Sequence, residues 1–291
     1  MKFSFIEAKR ARWPVAAICR VLGVTRSGYY AWRRRPLGPR ARESQRLLVA
    51  IQESWKRSGR NYGSPRVLQD LRAQGWRVGN RRVEQLMRNN GIQAKRKRRF
   101  RITTNSEHKR PVAPNVLDRQ FDVKTPDTVW AGDITYIWTQ QGWLYLAVIL
   151  DLFSRRVIGW AMSNRINTQL ALDAMNMALA QRQPGAGLLH HSDRGSQYAA
   201  RRYGKLLDAH GVKPSMSRKG NCWDNSVVES FFGTLKNELV HHVVFPTRDA
   251  AKEAIFEFIE IYYNRYRRHS SLGYLSPIDY EHAIEELPQA A

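Results

Sequence analysis

Acidic residues are scarce in this chain, and so are cysteines and long apolar runs. Its 291 residues carry 48 Lys and Arg against 25 Asp and Glu, a formal net charge of +23 at pH 7. The shortage of acid is local. Residues 1–120 hold 30 of the basic and 7 of the acidic side chains, which accounts for the whole +23, while residues 121–291 hold 18 of each. A positive field confined to the first two fifths of a chain attracts polyanions and releases their counterions on binding. Nucleic acid is therefore the leading partner, ahead of a merely basic surface or a ribosome-associated role. The two cysteines, Cys19 and Cys222, lie far apart, which excludes a disulfide framework, and no Cys/His spacing suits a zinc site. The longest apolar stretch, Trp143 to Leu150, is far too short to span a bilayer, and Met1 to Arg12 is too mixed and charged for a secretory signal. A cytoplasmic location, in a reducing compartment and away from membrane, is the expectation. What is present is 43% hydrophobic and 11% aromatic residues, enough for a sizeable core in about two domains.

Residues 13–34 open with Pro14, suited to a first helical position, and continue with an apolar stripe of Ala17, Ile18, Val21 and Leu22. Gly23 breaks that helix and Thr25 can cap a second, which carries Arg26, Tyr29, Trp32 and Arg33. This is the layout of a helix-turn-helix, or more blandly of a small helical hairpin. Residues 1–38 are read as that unit. Residues 39–101 are read as a second, basic one. It has an amphipathic helix over 41–57, then Ser64-Pro65 and Asn80 as helix starts, and ends in the run Lys95, Arg96, Lys97, Arg98, Arg99. No core accepts that run, so it is solvated or lies on phosphate. With Arg26 and Arg33, these five residues are the candidate DNA contacts.

A linker over 102–124 leads to a change of composition. Strands are expected over 128–139, 143–153, 157–162, 188–192 and 213–217, and helices over 167–181, 199–210, 224–240 and 248–264. Three leading hairpin strands followed by strands alternating with helices predict a mixed five-stranded α/β sheet flanked by helices, occupying 125–285. That order is the order of the ribonuclease-H-like fold.

Three acids stand out on this map. Asp133 interrupts a strand between Gly132 and Ile134, where packing has no use for a carboxylate, and burying one unpaired costs several kcal/mol. Asp193 ends the fourth strand, where sites of open α/β sheets are built. Glu229, thirty-five residues later, falls on a helix with Phe232 on the same face. Each acid alone is more often structural, as an arginine partner or a solvated helix residue. Together they suit Mg²⁺, which prefers hard oxygen ligands, and Mn²⁺ could replace it. Two such ions about 3.5–4 Å apart activate a water or 3′-hydroxyl and support the leaving oxygen of a phosphodiester. Asp151 is weighed as a fourth ligand near the site but read as a partner of Arg155 or Arg156. Asp224 is read as a cap or loop organiser, His190 and His191 as packed strand histidines, and Trp223 as packing rather than a base wedge. Asn225, Gln197 and Tyr198 are candidates for positioning the carboxylates or the DNA backbone. The apolar stretch 255–266 is read as core, subunit interface, or both.

The spacing Asp, Asp, thirty-five residues, Glu resembles the DDE transposases and retroviral integrases. The surrounding words, Trp130-Ala131-Gly132-Asp133-Ile134-Thr135-Tyr136, His191-Ser192-Asp193-Arg194-Gly195-Ser196-Gln197-Tyr198 and Asp224-Asn225-Ser226-Val227-Val228-Glu229-Ser230-Phe231-Phe232, are similar to bacterial transposases of the insertion sequence three family. Lys236 and the segment Tyr263-Asn264 to Leu275-Ser276-Pro277 fit as well. The resemblance covers nearly the whole chain and implies cleavage at element ends followed by attack of the freed 3′-OH on another phosphodiester. It implies Asp133, Asp193 and Glu229 as metal ligands and Lys236 as a DNA contact near the reacting phosphate. It also implies double-stranded DNA as substrate, a homo-oligomer on that DNA, and a nucleoid-associated bacterial setting. In that family a first-reading-frame product supplies a leucine zipper. No heptad zipper is visible here, which leaves open whether this chain acts alone or with such a partner. A hydrolysing nuclease of the same fold and a catalytically silent DNA-binding regulator are the competing readings.

Overall fold

The computed structural model of the chain describes residues 1–34, 38–95, 112–218 and 222–286, so Arg96, Lys97, Arg98 and Arg99 lie outside the described residues. Helices α1 (Lys2–Lys9), α2 (Val15–Val21) and α3 (Arg26–Arg34) close around Ile6, Ile18, Cys19 and Tyr29. Gly23, at φ +63°, turns the chain between α2 and α3, and Thr25 caps α3 through its Oγ1, which accepts from Gly28 N at 3.0 Å. Sequence periodicity does not anticipate α1. Only Ile6 of this helix is buried, and the contact of the Tyr29 hydroxyl with the Glu7 carboxylate ties it to α3.

Helices α4 (Pro39–Arg57), α5 (Ser64–Ala73) and α6 (Asn80–Asn89) surround Leu47, Ile51, Val67, Leu71, Val83 and Met87. Their caps differ from expectation. Gly63 and Gly79 occupy the N-cap positions, and Ser64 and Asn80 are already helical. This unit docks on the end of the chain. Arg268 N donates to Tyr62 Oη at 2.8 Å, Arg66 Nε donates to Arg268 O at 3.0 Å, and Arg268 pairs with Asp70.

The sheet comprises β1 (Val129–Thr139), β2 (Gly142–Asp151), β3 (Val157–Ser163), β4 (Leu189–Ser192) and β5 (Lys213–Met216), in the order β3-β2-β1-β4-β5. β1, β2 and β3 pair antiparallel, and β4 and β5 join parallel to β1, giving the ribonuclease-H-like sheet. Alternation along the strands feeds two cores. Trp130, Ala147, Ile149 and Ile158 pack with α7 (Thr168–Arg182) and α8 (Arg201–Ala209). Ala131, Ile137, Leu146 and Val148 pack with α9 (Ser226–Glu238) and α10 (Arg248–Phe256). Beyond α10 the helix continues over Glu257–Tyr266 with π rather than α spacing, burying Phe258, Ile259 and Tyr263 as core. Helix α11 (Pro277–Glu285) ends the described fold. Among the described residues no helix is long and apolar enough to cross a membrane.

Close approach of α7 to β3 depends on Gly159. A Cβ there would lie 2.3 Å from the Ala174 carbonyl oxygen and 2.8 Å from Ala178 N, both backbone atoms that cannot yield without moving the helix. Gly159→Ala should therefore destabilise the core by about 1–3 kcal/mol, the range for overpacking, read as a lower urea midpoint at unchanged slope.

Candidate active site

The parallel pairing of β1 with β4 runs Val129↔Leu189 to Gly132↔Ser192 and stops there. Asp133 and Asp193 are the next residues on each strand, so they emerge side by side from strands about 4.8 Å apart. Asp133 shares the face of Ala131 and Ile137, the face on which α9 packs. Both carboxylates are oriented locally, with Ile134 N donating to Asp133 Oδ1 at 2.7 Å and Gly195 N donating to Asp193 Oδ1 at 2.8 Å. Two glycines make room. A Cβ on Gly132 would meet His190 Cε1 at 2.8 Å, and a Cβ on Gly195 would meet Asp193 Oδ1 at 2.8 Å.

Helix α9 brings Glu229 and, two turns on, Lys236 to this end of the sheet. Burial pushes the Asp133 carboxyl well above its ordinary range, and repulsion from Asp193 and Glu229 adds to the effect, against the Ile134 N–H and the Lys236 charge. Burial also raises Glu229 and lowers Lys236, whose charge Asp133 supports. Lys236 is not an exposed lysine. It is 8% exposed, with Nζ 5.0 Å from the centre of the Tyr136 ring. Asp133 thus sits among like charges, with Lys236 opposing their effect. Buried polar atoms without a protein partner adjoin it: Tyr198 Oη and Asn225 Oδ1, the latter on a side chain whose Nδ2 donates to the Gly132 carbonyl at 3.3 Å. Hard oxygen donors of like charge fit a divalent cation of the Mg²⁺ type. Among the described residues, however, no three His, Cys, Asp or Glu side chains are gathered at metal-ligand spacing. The sheet holds the aspartate pair together, and Glu229 stands on the neighbouring helix.

Family models match the chain as an integrase core domain over residues 123–222 and again over 210–277, and as an HTH-like domain over 42–100. The chain is 44% identical to the transposase InsF for insertion sequence IS3A of Escherichia coli, over 97% of this chain and 98% of that protein. It is 45% identical to an insertion element IS600 31 kDa protein of Shigella sonnei, over 93% of this chain and 99% of that protein. The chain belongs to the IS3 family of DNA transposases. Among solved structures, a simian T-cell lymphotropic virus intasome chain aligns at 15% identity and TM-score 0.48, covering 83% of this chain and 76% of that one. The HTLV-2 integrase catalytic core in complex with magnesium aligns at 18% identity and TM-score 0.42, covering 54% and 97%.

Other acids and histidines of this IS3-family chain have structural duties. Asp224 is fully buried and accepts from Arg218 N, Nε and Nη2, Arg119 Nε and Asn115 Nδ2, which holds its carboxyl far below the usual range. Asp151 lies opposite Trp130 on β1, three residues and about 10 Å back from Asp133, so it is not near the site. Its carboxylate accepts from Asp127 N and Phe153 N and faces Arg182 at 3.5 Å, which replaces the expected pairing with Arg155 or Arg156. His190 bonds to Tyr203 Oη and His191 to Ser215 and Ser217, and burial pushes them down to about 3 and about 4, so both are neutral packed residues. Trp223 overturns its packing assignment, being 69% exposed beside the site. Arg26 is exposed at the start of α3, and Arg33 faces Glu7 at 3.6 Å. Lys95 donates to the Glu238 carbonyl at 3.1 Å and, with Arg66 and Arg267, lines a crevice of about 390 Å³ between the helical unit and α9.

The raised Asp133 carboxyl has a consequence for stability. The folded chain holds this proton more tightly than the unfolded chain, so the contribution is nil below the unfolded value. It becomes an increasing penalty as pH rises, complete once pH passes the raised folded value. In metal-free buffer at neutral pH, Asp133→Asn should raise the melting temperature by about 2–4 °C per kcal/mol relieved. Asp224→Ala should lower stability by about 2–3 kcal/mol, below the full figure for a broken buried pair because Arg218 and Arg119 reach solvent. Differential scanning calorimetry of both variants checks the two signs.

Proposed function

We propose that this transposase cleaves DNA at the ends of its element and joins the freed 3′-OH to another phosphodiester, with Asp133, Asp193 and Glu229 holding the divalent metal. The observation that carries the reading is the paired emergence of Asp133 and Asp193 where β1–β4 pairing stops, with α9 packed on the same face. Bound there, two Mg²⁺ ions, or Mn²⁺ in their place, supply an activated water or 3′-hydroxyl and stabilise the leaving 3′-oxygen. The chain's own residues prepare that chemistry. The Ile134 and Gly195 amides fix one oxygen of each aspartate and so orient both carboxylates. Lys236, desolvated against Tyr136, offers its charge to the phosphate nearest the acids. Glu229, on α9, would be the third residue to hold the metal. The helical units and the basic run 95–101 track double-stranded DNA through phosphate contacts, Arg26, Arg33, Lys95, Arg96, Lys97, Arg98 and Arg99 among them. Joining two element ends calls for an oligomer on DNA, with a first-reading-frame protein as its candidate partner.

Asp193→Asn should abolish both Mg²⁺-dependent cleavage and transfer of a labelled 3′-OH strand while leaving duplex binding in a gel-shift assay near wild type. Surviving cleavage would remove Asp193 from the chemistry. Cleavage without transfer by the wild-type chain would favour the nuclease reading, and binding without either would favour the silent regulator.

A further inference from the structure

The outer half of the β1–β2 hairpin carries an aromatic stripe that only Tyr145 ties to a core, leaving Trp138 and Trp143 exposed. Tyr136 and Trp138 on β1 stand opposite Tyr145 and Trp143 on β2, all on the face that α7 and α8 cover only further along the sheet. Trp138 is 59% exposed and Trp143 43% exposed. The rings meet edge to face, Tyr136 with Trp143 at 5.0 Å and 84° and Trp138 with Trp143 at 4.8 Å and 74°, and both indoles keep part of their surface open to solvent. A cation stands at each end of the stripe. Lys236 Nζ lies over the Tyr136 ring, and Arg248 donates from Nε to the Trp143 carbonyl at 3.1 Å, with no carboxylate of the described residues in ion-pair reach of it. The same strand carries Asp133, about 17 Å from Trp138.

We propose that this stripe is a stacking platform for unpaired nucleotides of a DNA strand entering or leaving the acid cluster. The proposal rests on the DNA-transfer reading above. Bases offer a π-face whatever their sequence, and a strand lying along the stripe places phosphates against Lys236 and Arg248. A second copy of the chain fits less well, because the centres of protein–protein interfaces are depleted of charge, whereas this stripe is bracketed by it.

The test uses the full chain in EDTA, so that no cleavage occurs, with a fluorescein-labelled oligo-dT strand and a blunt duplex as probes in anisotropy titrations. The Trp138→Ala/Trp143→Ala double variant should bind oligo-dT at least about fivefold more weakly while its duplex affinity stays within about twofold of wild type. The Trp138→Phe/Trp143→Phe variant should recover most of the loss, and oligo-dT should quench tryptophan fluorescence in the wild type more than in either variant. Unchanged oligo-dT binding by the alanine variant overturns the proposal, as does equal loss on both probes. Dissociation of an oligomer by the alanine variant in sedimentation, without selective loss of oligo-dT, would assign the stripe to contact between copies instead. Loss of cleavage in Asp193→Asn bears on the catalytic reading alone and the oligo-dT titrations of the tryptophan variants on this one, so the two failures leave different results.

Discussion

Like charge gathered at the point where β1 and β4 part company is the constraint on which the rest of this structure depends. Two aspartates leave neighbouring parallel strands side by side, a glutamate on α9 adds to their repulsion, and the desolvated Lys236 opposes it at Asp133. Every local feature works around that charge. Gly195 makes space beside Asp193 and Gly132 makes space for His190 on the opposite face, backbone amides take one oxygen of each aspartate, and neutral histidines fill the layer behind. A protein selected for stability alone would replace these acids. Gathering like charges at one point, with the Asp133 carboxyl pushed up by burial and by its acidic neighbours, is the mark of a functional rather than a packing site.

The distribution of the remaining charge follows the same division of labour. Several buried acids of the catalytic half outside the cluster are paired with arginines, Asp224 with Arg218 and Arg119, Glu238 with Arg267, and Glu281 with Arg156 and Arg182. Half of the chain therefore nets to zero while presenting one concentrated negative point. The other half keeps its positive excess for phosphate, and it is fastened to the catalytic half by Tyr62, Arg66 and Asp70 through the backbone and side chain of Arg268. Substrate steering and catalysis are thus separated along the sequence but joined in space next to α9.

Much of this was legible in the sequence, for identifiable reasons. Strands betrayed themselves by β-branched and aromatic runs between turns, and Asp133 and Asp193 by breaking such runs where packing had no use for them. The strand order placed the two side by side, as the register confirms. Features set by tertiary context were not legible. Helix α1 buries a single isoleucine and so lacks a periodic stripe. Asp151 chose Arg182, thirty-one residues away on α7, over the arginines beside it in sequence, because β2 ends against that helix. Lys236 was indistinguishable from a solvated helix lysine until Tyr136 and Asp133 were seen beneath it. Trp223, read as packing rather than a base wedge, stands 69% exposed. The π spacing of Glu257–Tyr266 has no signature in an apolar run that an α-helix would accept equally well.

The central claim is that the third acid joins the aspartate pair around shared cations, and metal binding reads it most directly. Crystals of the DNA complex grown with Mn²⁺ should show anomalous density bounded by Asp133, Asp193 and Glu229, and the same crystals of Glu229→Gln should lose part of it. Full manganese occupancy in Glu229→Gln, or density that touches the aspartates with Glu229 turned away, would contradict the account.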